Sequence, residues 1–315
     1  MRKAAVLHPG GLTAKELRGQ LDERPDLVRE VRLLTTVEEE VGTLTESGGS
    51  AAMVQRFAPE AVEDVDILFL CGPAAESRRV LEAVPGARAV ILSPDAEVRD
   101  APPYVAGVNL PPHEAVEPVV LSPQPGAILL AHVLHPLQQL GLRRAEATLL
   151  QPVSVFPGEA LDQLFEQARN LLTFQPVGES AHWQRQLAFN LLPTDVAGDA
   201  LREQVEAVLA DGAAITAQVL QAGVFHSFAG SLHVTLEPDP GLERIREAYA
   251  ERPGLRWAEE EPLGPVDAAA AEDVLIGHVR SDRGRGGSYW LWAVMDNLTR
   301  GGASNAIALA EAVLR

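Results

Sequence analysis

Few side chains in this sequence could act as nucleophiles, and none has a catalytic partner close to it along the chain. The single cysteine, Cys71, ends the apolar segment Asp66–Cys71, which is typical of a buried strand. No basic residue follows it before Arg78, and a buried free cysteine usually behaves as a small hydrophobic side chain. We therefore predict a structural role for Cys71 and keep it as a weak candidate nucleophile.

Histidines and serines give no stronger site. His132 and His135 are three positions apart on a predicted helix, so they could share a face and a metal ion. Their neighbours are apolar and no carboxylate lies beside them in the sequence, so we predict core or interface histidines and no metal site. Ser122 and Ser154 lie outside any GxSxG pattern and beside no assignable base.

The first half of the chain is predicted to form alternating strands and helices. Short apolar runs alternate there with helical patterns, which predicts a parallel sheet with crossover helices. The predicted strands are Lys3–Leu7, Val31–Thr35, Asp66–Cys71 and Ala87–Leu92, and the predicted helices are Thr13–Glu23 and Ala75–Ala83. The proline-rich stretch Asp100–Pro125 is predicted to be extended connecting chain that ends the first domain.

The second half of the chain predicts an α+β domain with one mixed sheet. The predicted helices are Ile128–Leu142, Leu161–Thr173 and Leu201–Leu209, and the predicted strands are Ala145–Ser154, Leu232–Leu236, Leu275–Val279 and Tyr289–Val294. Tyr289, Trp290 and Trp292 form an aromatic stripe, which is typical of core or of a dimer contact. The strands Leu232–Leu236 and Tyr289–Val294 are interpreted as apolar on both alternations, as in a sheet covered on two faces.

The C-terminal segment Asp296–Arg315, DNLTRGGASNAIALAEAVLR, resembles that of the aspartate-semialdehyde dehydrogenase family, DNLRKGAAxN followed by an amphipathic helix. Further segments match in the family's order: AVLHPGGLTAKEL resembles AVVGATGAVGREL, DILFLCGPAAES resembles DIVFFALPGGVS, and FNLLP resembles FNVIP. The resemblance covers nearly the whole chain. It implies a Rossmann-type NAD(P)-binding domain, residues 1–123 plus 297–315, and a central α+β dimerisation domain, residues 124–296, with the C-terminal helix packing back on the first domain.

The departures from the family fall on the residues that carry its chemistry. The family oxidises an aldehyde through the cysteine of NPNCST, and the matching SPQPGA has Pro125 at that position, without a nucleophilic side chain. The family's RVPVxxGHS matches QAGVFHSFA, so Gln221 replaces the arginine that binds the substrate carboxylate and Phe228 replaces the acid–base histidine. Gln151 keeps the family residue. His226, two positions before Phe228, is a weak candidate base if strand geometry points it to the same side.

The dinucleotide-binding pattern is altered as well. The glycines of the family's GxxGxxG correspond to His8, Gly11 and Ala14, and a side chain at the first position narrows the turn that holds the diphosphate. Glu38 takes the position of the family's NADP-binding arginine and would repel a 2′-phosphate, although Glu38–Glu40 also fits a solvated helix start. The cofactor is left unknown, with NAD bound weakly if at all and NADP disfavoured. The residues that the resemblance assigns to cofactor binding are Gly10, Gly11, Ala14, Glu38, Gly72 and Asn297.

Composition excludes several classes of partner. A hydrophobic content of 46% with 22% charged residues is ordinary for a globular protein. The net charge of −18 would repel nucleic acid or an anionic membrane, so we expect neither as a partner. No stretch approaches the ~20 apolar residues that cross a bilayer. The N-terminus has no signal-peptide pattern, so we expect a cytoplasmic location.

These observations favour a catalytically degenerate member of the family. We predict a pseudoenzyme without the family's catalytic cysteine, arginine and histidine, acting as a homodimer or by binding a ligand in or beside amino-acid biosynthesis. Two alternatives stay open. One is an active NAD(P)-dependent oxidoreductase on an aldehyde, with a moved nucleophile. The other is an interaction subunit that forms a heterodimer with an active homologue.

Overall fold

The computed structural model of the 315-residue chain divides into two compact units. The first unit is Met1–Gln124 with Gly302–Arg315, and the second is Pro125–Gly301. The structure describes residues 2–47, 49–112, 116–177, 182–183, 185–194, 198–210, 212–250, 252–258 and 263–315. Among these residues, no helix is long and apolar enough to cross a membrane.

Strands and short helices fill both units. The strands are β1 (Lys3–Leu7), β2 (Glu30–Thr35), β3 (Leu44–Ser47), β4 (Ser50–Met53), β5 (Gln55–Arg56), β6 (Ile67–Leu70), β7 (Ala89–Ile91), β8 (Val119–Leu121), β9 (Leu142–Gln151), β10 (Leu191–Pro193), β11 (Ala214–Ala222), β12 (Phe228–Leu236), β13 (Leu255–Trp257), β14 (Val274–Ser281) and β15 (Ser288–Met295). The helices are α1 (Leu12–Asp22), α2 (Ala74–Ala83), α3 (Pro125–Gln138), α4 (Gly158–Leu172), α5 (Gly198–Leu209), α6 (Gly241–Ala250) and α7 (Ser304–Val313).

The first unit contains a six-stranded parallel sheet in the order β5-β2-β1-β6-β7-β8. Its central strands β1 and β6 are buried along nearly their whole length, as expected for a parallel sheet covered by helices on both faces. The carboxyl ends of β1, β2 and β6 lie at the same edge, and a ligand of such a sheet binds at this edge. The predicted Rossmann-type fold class is confirmed.

The C-terminal helix α7 packs on this sheet and on α1. Its alanine-rich face brings the backbone close to the strands, and Asn305 is buried in its first turn. The amide of Asn305 donates from Nδ2 to Ser122 Oγ at 2.9 Å and to the carbonyl of Tyr104 at 3.1 Å. Its Oδ1 accepts from the backbone N–H of Ala106 at 2.9 Å. These bonds fix the C-terminal segment to the first unit, as the predicted fold class requires.

The second unit contains a seven-stranded mixed sheet in the order β10-β11-β9-β12-β15-β14-β13. Helix α3 packs on one face of its centre, where a Cβ built on Gly230 would lie 3.0 Å from Leu149 Cδ2 and 3.7 Å from Leu129 Cδ2. The carboxyl ends of the parallel strands β9 and β11 lie side by side, because Gln151 pairs with Gln221 in their register. The predicted mixed sheet is confirmed, and this edge positions the candidate catalytic residues.

Several element predictions need correction. The stretch predicted as connecting chain contains β8, whose short apolar run Val119–Leu121 forms the edge strand of the parallel sheet. Helix α3 begins at Pro125, since proline suits the first helical turn, where its missing N–H costs nothing. Strand β12 is apolar on one face only: Ser231 and His233 occupy the opposite alternation.

The hydrogen bonds of Asn305 give a stability prediction. Asn305→Ala leaves the partly buried N–H of Ala106 and carbonyl of Tyr104 without their side-chain partner, so we expect the free energy of unfolding to fall by about 2–4 kcal/mol. Urea denaturation followed by far-UV circular dichroism measures the loss. The control is Ser304→Ala, which removes one partly buried bond to Gln20 and should cost roughly 1 kcal/mol or less. Equal losses in the two variants would contradict the assigned role of Asn305.

Candidate functional site

Pro125, the residue that the resemblance places at the family's nucleophile position, begins α3 and is closely packed. A Cβ built on Gly301 would lie 3.0 Å from Pro125 Cβ. A Cβ built on the next residue, Gly126, would lie 2.8 Å from Leu201 Cδ1 and 3.5 Å from the Phe228 ring. Phe228 itself is only 3% exposed. The position that the resemblance assigns to the family's acid–base histidine is therefore occupied by a buried apolar ring beside the first turn of α3.

Gln151 and Gln221 form a buried side-chain pair at the carboxyl ends of β9 and β11. Gln151 Nε2 donates to Gln221 Oε1 at 3.0 Å. Gln221 Nε2 donates to the carbonyls of Gln151 at 3.1 Å and Ala222 at 3.2 Å. Both polar atoms of the Gln221 side chain are thus bound to other protein groups. A substrate carboxylate could bind Gln221 only by breaking these bonds.

Asn297, predicted from the family's C-terminal motif to contact a cofactor, is 1% exposed and lies in the second unit. Its Oδ1 accepts a hydrogen bond from Ser154 Oγ and another from the backbone N–H of Ser227, both at 3.0 Å. The Ser227 hydroxyl is buried without a hydrogen-bond partner among the described residues. Asn297 therefore holds the loop before β12 against the 3₁₀ turn Val153–Val155 that follows β9.

The two weak catalytic candidates are placed unfavourably. His226 is exposed in the loop between β11 and β12, so the expectation that a strand would aim it at the site is wrong. Cys71 lies after β6 in the first unit, and Pro125 belongs to the second. Burial of the Cys71 thiol raises its pKa to about 12, and the charge of Arg18 opposes this only in part. At neutral pH the thiol is protonated and is a poor nucleophile.

The paired histidines of α3 make separate contacts. His132 is buried and its Nε2 lies 3.1 Å from Arg300 Nη2, while His135 Nδ1 lies 2.8 Å from Gln138 Oε1. Burial, and then the neighbouring Arg300 guanidinium, hold the pKa of His132 well below its usual range. No group of three or more His, Cys, Asp or Glu in the described part of the chain could hold a metal ion.

The predicted cofactor-binding residues of the first unit lie around the start of α1. Gly10 and Gly11 have open space beside their Cα atoms, and Ala14 is buried against the sheet. His8 adopts a left-handed backbone conformation with φ +55°, where glycine would be preferred. A Cβ built on Gly72 would lie 2.1 Å from His8 Cδ2, so the imidazole lies directly over Gly72.

The acidic run Glu38–Glu40 forms a 3₁₀ turn after β2. Glu38 is exposed and pairs with Arg56. Glu40 instead accepts a hydrogen bond from Thr35 Oγ1 at 2.6 Å and lies 3.9 Å from His8 Nδ1. Within this run it is therefore Glu40 that lies close to His8 in the turn after β1, and the motifs of the sequence did not single it out.

The His8 side chain lies at the turn after β1, where a dinucleotide binds in a sheet of this kind. The diphosphate of the dinucleotide needs to approach backbone N–H groups at the start of α1, and the imidazole of His8 stands beside that approach. Sequence comparison identified the substitution at position 8 but gave no sign of where the ring would lie. That required the position of Gly72, which is brought beside His8 by the pairing of β1 with β6.

Comparison with known proteins identifies relatives of the whole chain. A family model described as the dimerisation domain of semialdehyde dehydrogenase matches residues 134–300. The chain is 27% identical to an aspartate-semialdehyde dehydrogenase of Prochlorococcus marinus, over 98% of this chain and 95% of that protein. It is 31% identical to a USG-1 protein homolog of Azotobacter vinelandii, over 79% of each. A solved structure of a probable aspartate-semialdehyde dehydrogenase from Pseudomonas aeruginosa superposes with a TM-score of 0.89 at 27% identity, covering 100% of this chain and 98% of that one.

The raised pKa of Cys71 gives a prediction about reactivity. Because the thiolate is the reactive form, alkylation of the native protein by iodoacetamide at pH 8 should be slower than that of the urea-unfolded protein by about a thousandfold. Mass spectrometry of the single cysteine measures both rates. The native rate should keep rising up to the highest pH at which the fold persists. A plateau between pH 7 and 9 would mean an activated thiol and would contradict the predicted structural role.

Proposed function

Because the chain belongs to the semialdehyde dehydrogenase family, we propose that it is a member that no longer catalyses the oxidation of a semialdehyde and acts through dimerisation or retained ligand binding. The aspartate-semialdehyde dehydrogenases among its relatives suggest a place in or beside amino-acid biosynthesis. One observation carries the proposal. The side chain at the family's carboxylate-binding position, Gln221, is buried and bound to Gln151 through both of its polar atoms.

Two further losses support the same proposal. Attack on a carbonyl needs a nucleophile and a group that accepts its proton. Pro125 offers neither a side-chain nucleophile nor an N–H, and Phe228 cannot transfer a proton. The packing of Phe228 near Gly126 indicates that the apolar ring is part of the core at this edge of the sheet.

The alternative of an active oxidoreductase with a moved nucleophile is less well supported. Cys71 is the single thiol, and burial raises the pKa of that thiol to about 12. His226, the nearest histidine in sequence to the family's acid–base position, is exposed in a loop. Neither residue has a described contact with the pair of Gln151 and Gln221.

The proposal predicts the absence of turnover. The purified protein should give no NADP reduction above background with aspartate semialdehyde and phosphate, because the residues at the three chemical positions are Pro125, Gln221 and Phe228. A spectrophotometric assay of NADPH formation, with an active relative as positive control, measures this. Turnover that disappears in Cys71→Ala would overturn the proposal and identify the moved nucleophile.

Restoring one residue should not restore activity. Pro125→Cys alone should remain inactive, since the thiol would still lack a proton acceptor and an anchor for the substrate carboxylate. Gln221→Arg should also lower stability, because the pair with Gln151 would be lost in a buried site. Activity in Pro125→Cys at a level comparable with an active relative would contradict the assigned losses at Gln221 and Phe228.

Dimerisation is supported by the match to a dimerisation domain and by one face of the second sheet. The face opposite α3 carries Glu146, Ser231, His233 and Trp290, which are cross-strand neighbours on β9, β12 and β15. The rings of His233 and Trp290 are 4.7 Å apart, and Trp290 is 36% exposed. Aromatic side chains exposed among polar ones are typical of protein interfaces. We propose that this face forms the homodimer contact.

Sedimentation of the protein at low micromolar concentration should therefore give about twice the chain mass. Trp290→Glu should shift the protein to monomer, since a charge would be buried in the contact. The control is Leu172→Glu on α4, which changes another exposed apolar residue in the same way and should leave the dimer intact. A dimer that resists Trp290→Glu would contradict the proposed face, and a wild-type monomer would contradict the proposed dimer.

An interaction subunit in a heterodimer is the second candidate function, favoured by the match of the family's dimerisation domain to residues 134–300. Mixing the protein with an active homologue should then give a mixed dimer by native mass spectrometry. Failure to form that species under conditions where both homodimers exchange subunits would remove this candidate.

A further inference from the structure

His8 lies where the order of the first sheet changes direction. The chain leaves β1 for β2 on one side, and the neighbour of β1 on its other side is β6. Ligands of doubly wound sheets bind at this point, and a dinucleotide places its diphosphate against the turn between the first strand and helix. His8 is the first residue of that turn, so its side chain lies where the diphosphate would approach.

The imidazole of His8 is held on several sides. The backbone N–H of His8 donates to Leu34 O at 2.9 Å, which continues the pairing of β1 with β2. His8 Nε2 lies within hydrogen-bond distance of Thr36 Oγ1, at 3.1 Å, and Nδ1 lies 3.9 Å from Glu40. Only 12% of the His8 side chain is exposed. The ring is therefore fixed in the crevice by the polar groups that follow β2.

Gly72 leaves the space that the His8 ring occupies. The family segments compared above have glycine at the position of His8 and leucine at the position of Gly72, so the large and small residues are exchanged in this chain. Any side chain at position 72 would overlap the imidazole, because even a Cβ would lie 2.1 Å from His8 Cδ2. The ring gained at position 8 occupies the space that is freed at position 72, which indicates that the ring has a defined packing position.

We infer that the His8 imidazole takes the place of the dinucleotide's diphosphate, so that this one side chain keeps NAD and NADP out of the first unit. The inference rests on the proposed non-catalytic function, which removes the need for a cofactor. The remainder of the turn is open, since a Cβ built on Gly10 or Gly11 would meet nothing within 4 Å. Exclusion of the diphosphate therefore depends on His8, and a substitution at this position should remove it.

Titration calorimetry of the wild-type protein and His8→Gly tests the inference directly. Glycine accepts the positive φ at position 8, so the variant should fold. NAD should bind His8→Gly at least tenfold more tightly than the wild type. Adenosine, which has no diphosphate, should bind both proteins alike. Equal affinities for NAD, or an equal gain for adenosine, would overturn the inference. If His8→Gly does not fold, His8→Asn takes its place, because asparagine also tolerates positive φ and lacks the ring.

A second experiment tests the position of the ring without any ligand. Gly72→Ala should lower the melting temperature of the wild-type protein by several degrees and leave that of His8→Gly nearly unchanged, because the overlap needs the imidazole. An equal effect in both backgrounds would mean that the ring does not lie over Gly72, and would overturn the inference.

Turnover assays on the same proteins separate this inference from the proposed function. NAD binding by His8→Gly without turnover supports both. Turnover by the wild-type protein contradicts the proposed function and, since it requires a bound cofactor, contradicts the inference as well. Turnover confined to His8→Gly would contradict the proposed loss of catalytic residues and support the role of His8 in excluding the cofactor.

Discussion

A buried amide must find hydrogen-bond partners, and this requirement decides what the edge of the second sheet can do. Gln151 and Gln221 lie opposite each other at the ends of parallel strands and bind each other's side chains. An arginine at position 221 would bring a buried positive charge, whose cost a substrate carboxylate can offset. Glutamine has no charge and is stable when bound to Gln151. The polar atoms of the Gln221 side chain therefore need no ligand to satisfy them.

In the first unit too, the protein's own side chain fills a position that could bind a ligand. There the fit is one of packing volume and not of hydrogen bonding. A glycine at the first position of the nucleotide turn leaves space for a diphosphate. His8 fills space beside Gly72, which in turn has no side chain. In both units, a position that the family resemblance assigns to ligand binding is occupied by a side chain that has its own packing or hydrogen-bond partners. The packing and the hydrogen bonds are those of a protein interior.

More of the fold than of the candidate site could be predicted from the sequence. Apolar runs at strand spacing and the C-terminal motif were sufficient for the parallel sheet, the mixed sheet and the helix α7, because these depend on local patterns. The pair of Gln151 and Gln221 and the contact of His8 with Gly72 each join residues from different strands. Their geometry follows from register, which a single sequence does not specify. His226 was misplaced because β12 begins only at Phe228, which leaves His226 in the loop before the strand.

The proposed loss of catalysis is compatible with a stable fold. Catalytic sites usually cost stability, because they hold charges and open clefts that the surrounding structure must support. At the positions that the resemblance assigns to an acid–base histidine and a carboxylate-binding arginine, this chain has Phe228 and Gln221, and both are buried with partners or in apolar contact. Replacement by well-packed neutral residues tends to be neutral or stabilising. Under the proposed non-catalytic function, the second unit keeps its sheet, and with it the proposed dimer face, without supporting a catalytic site.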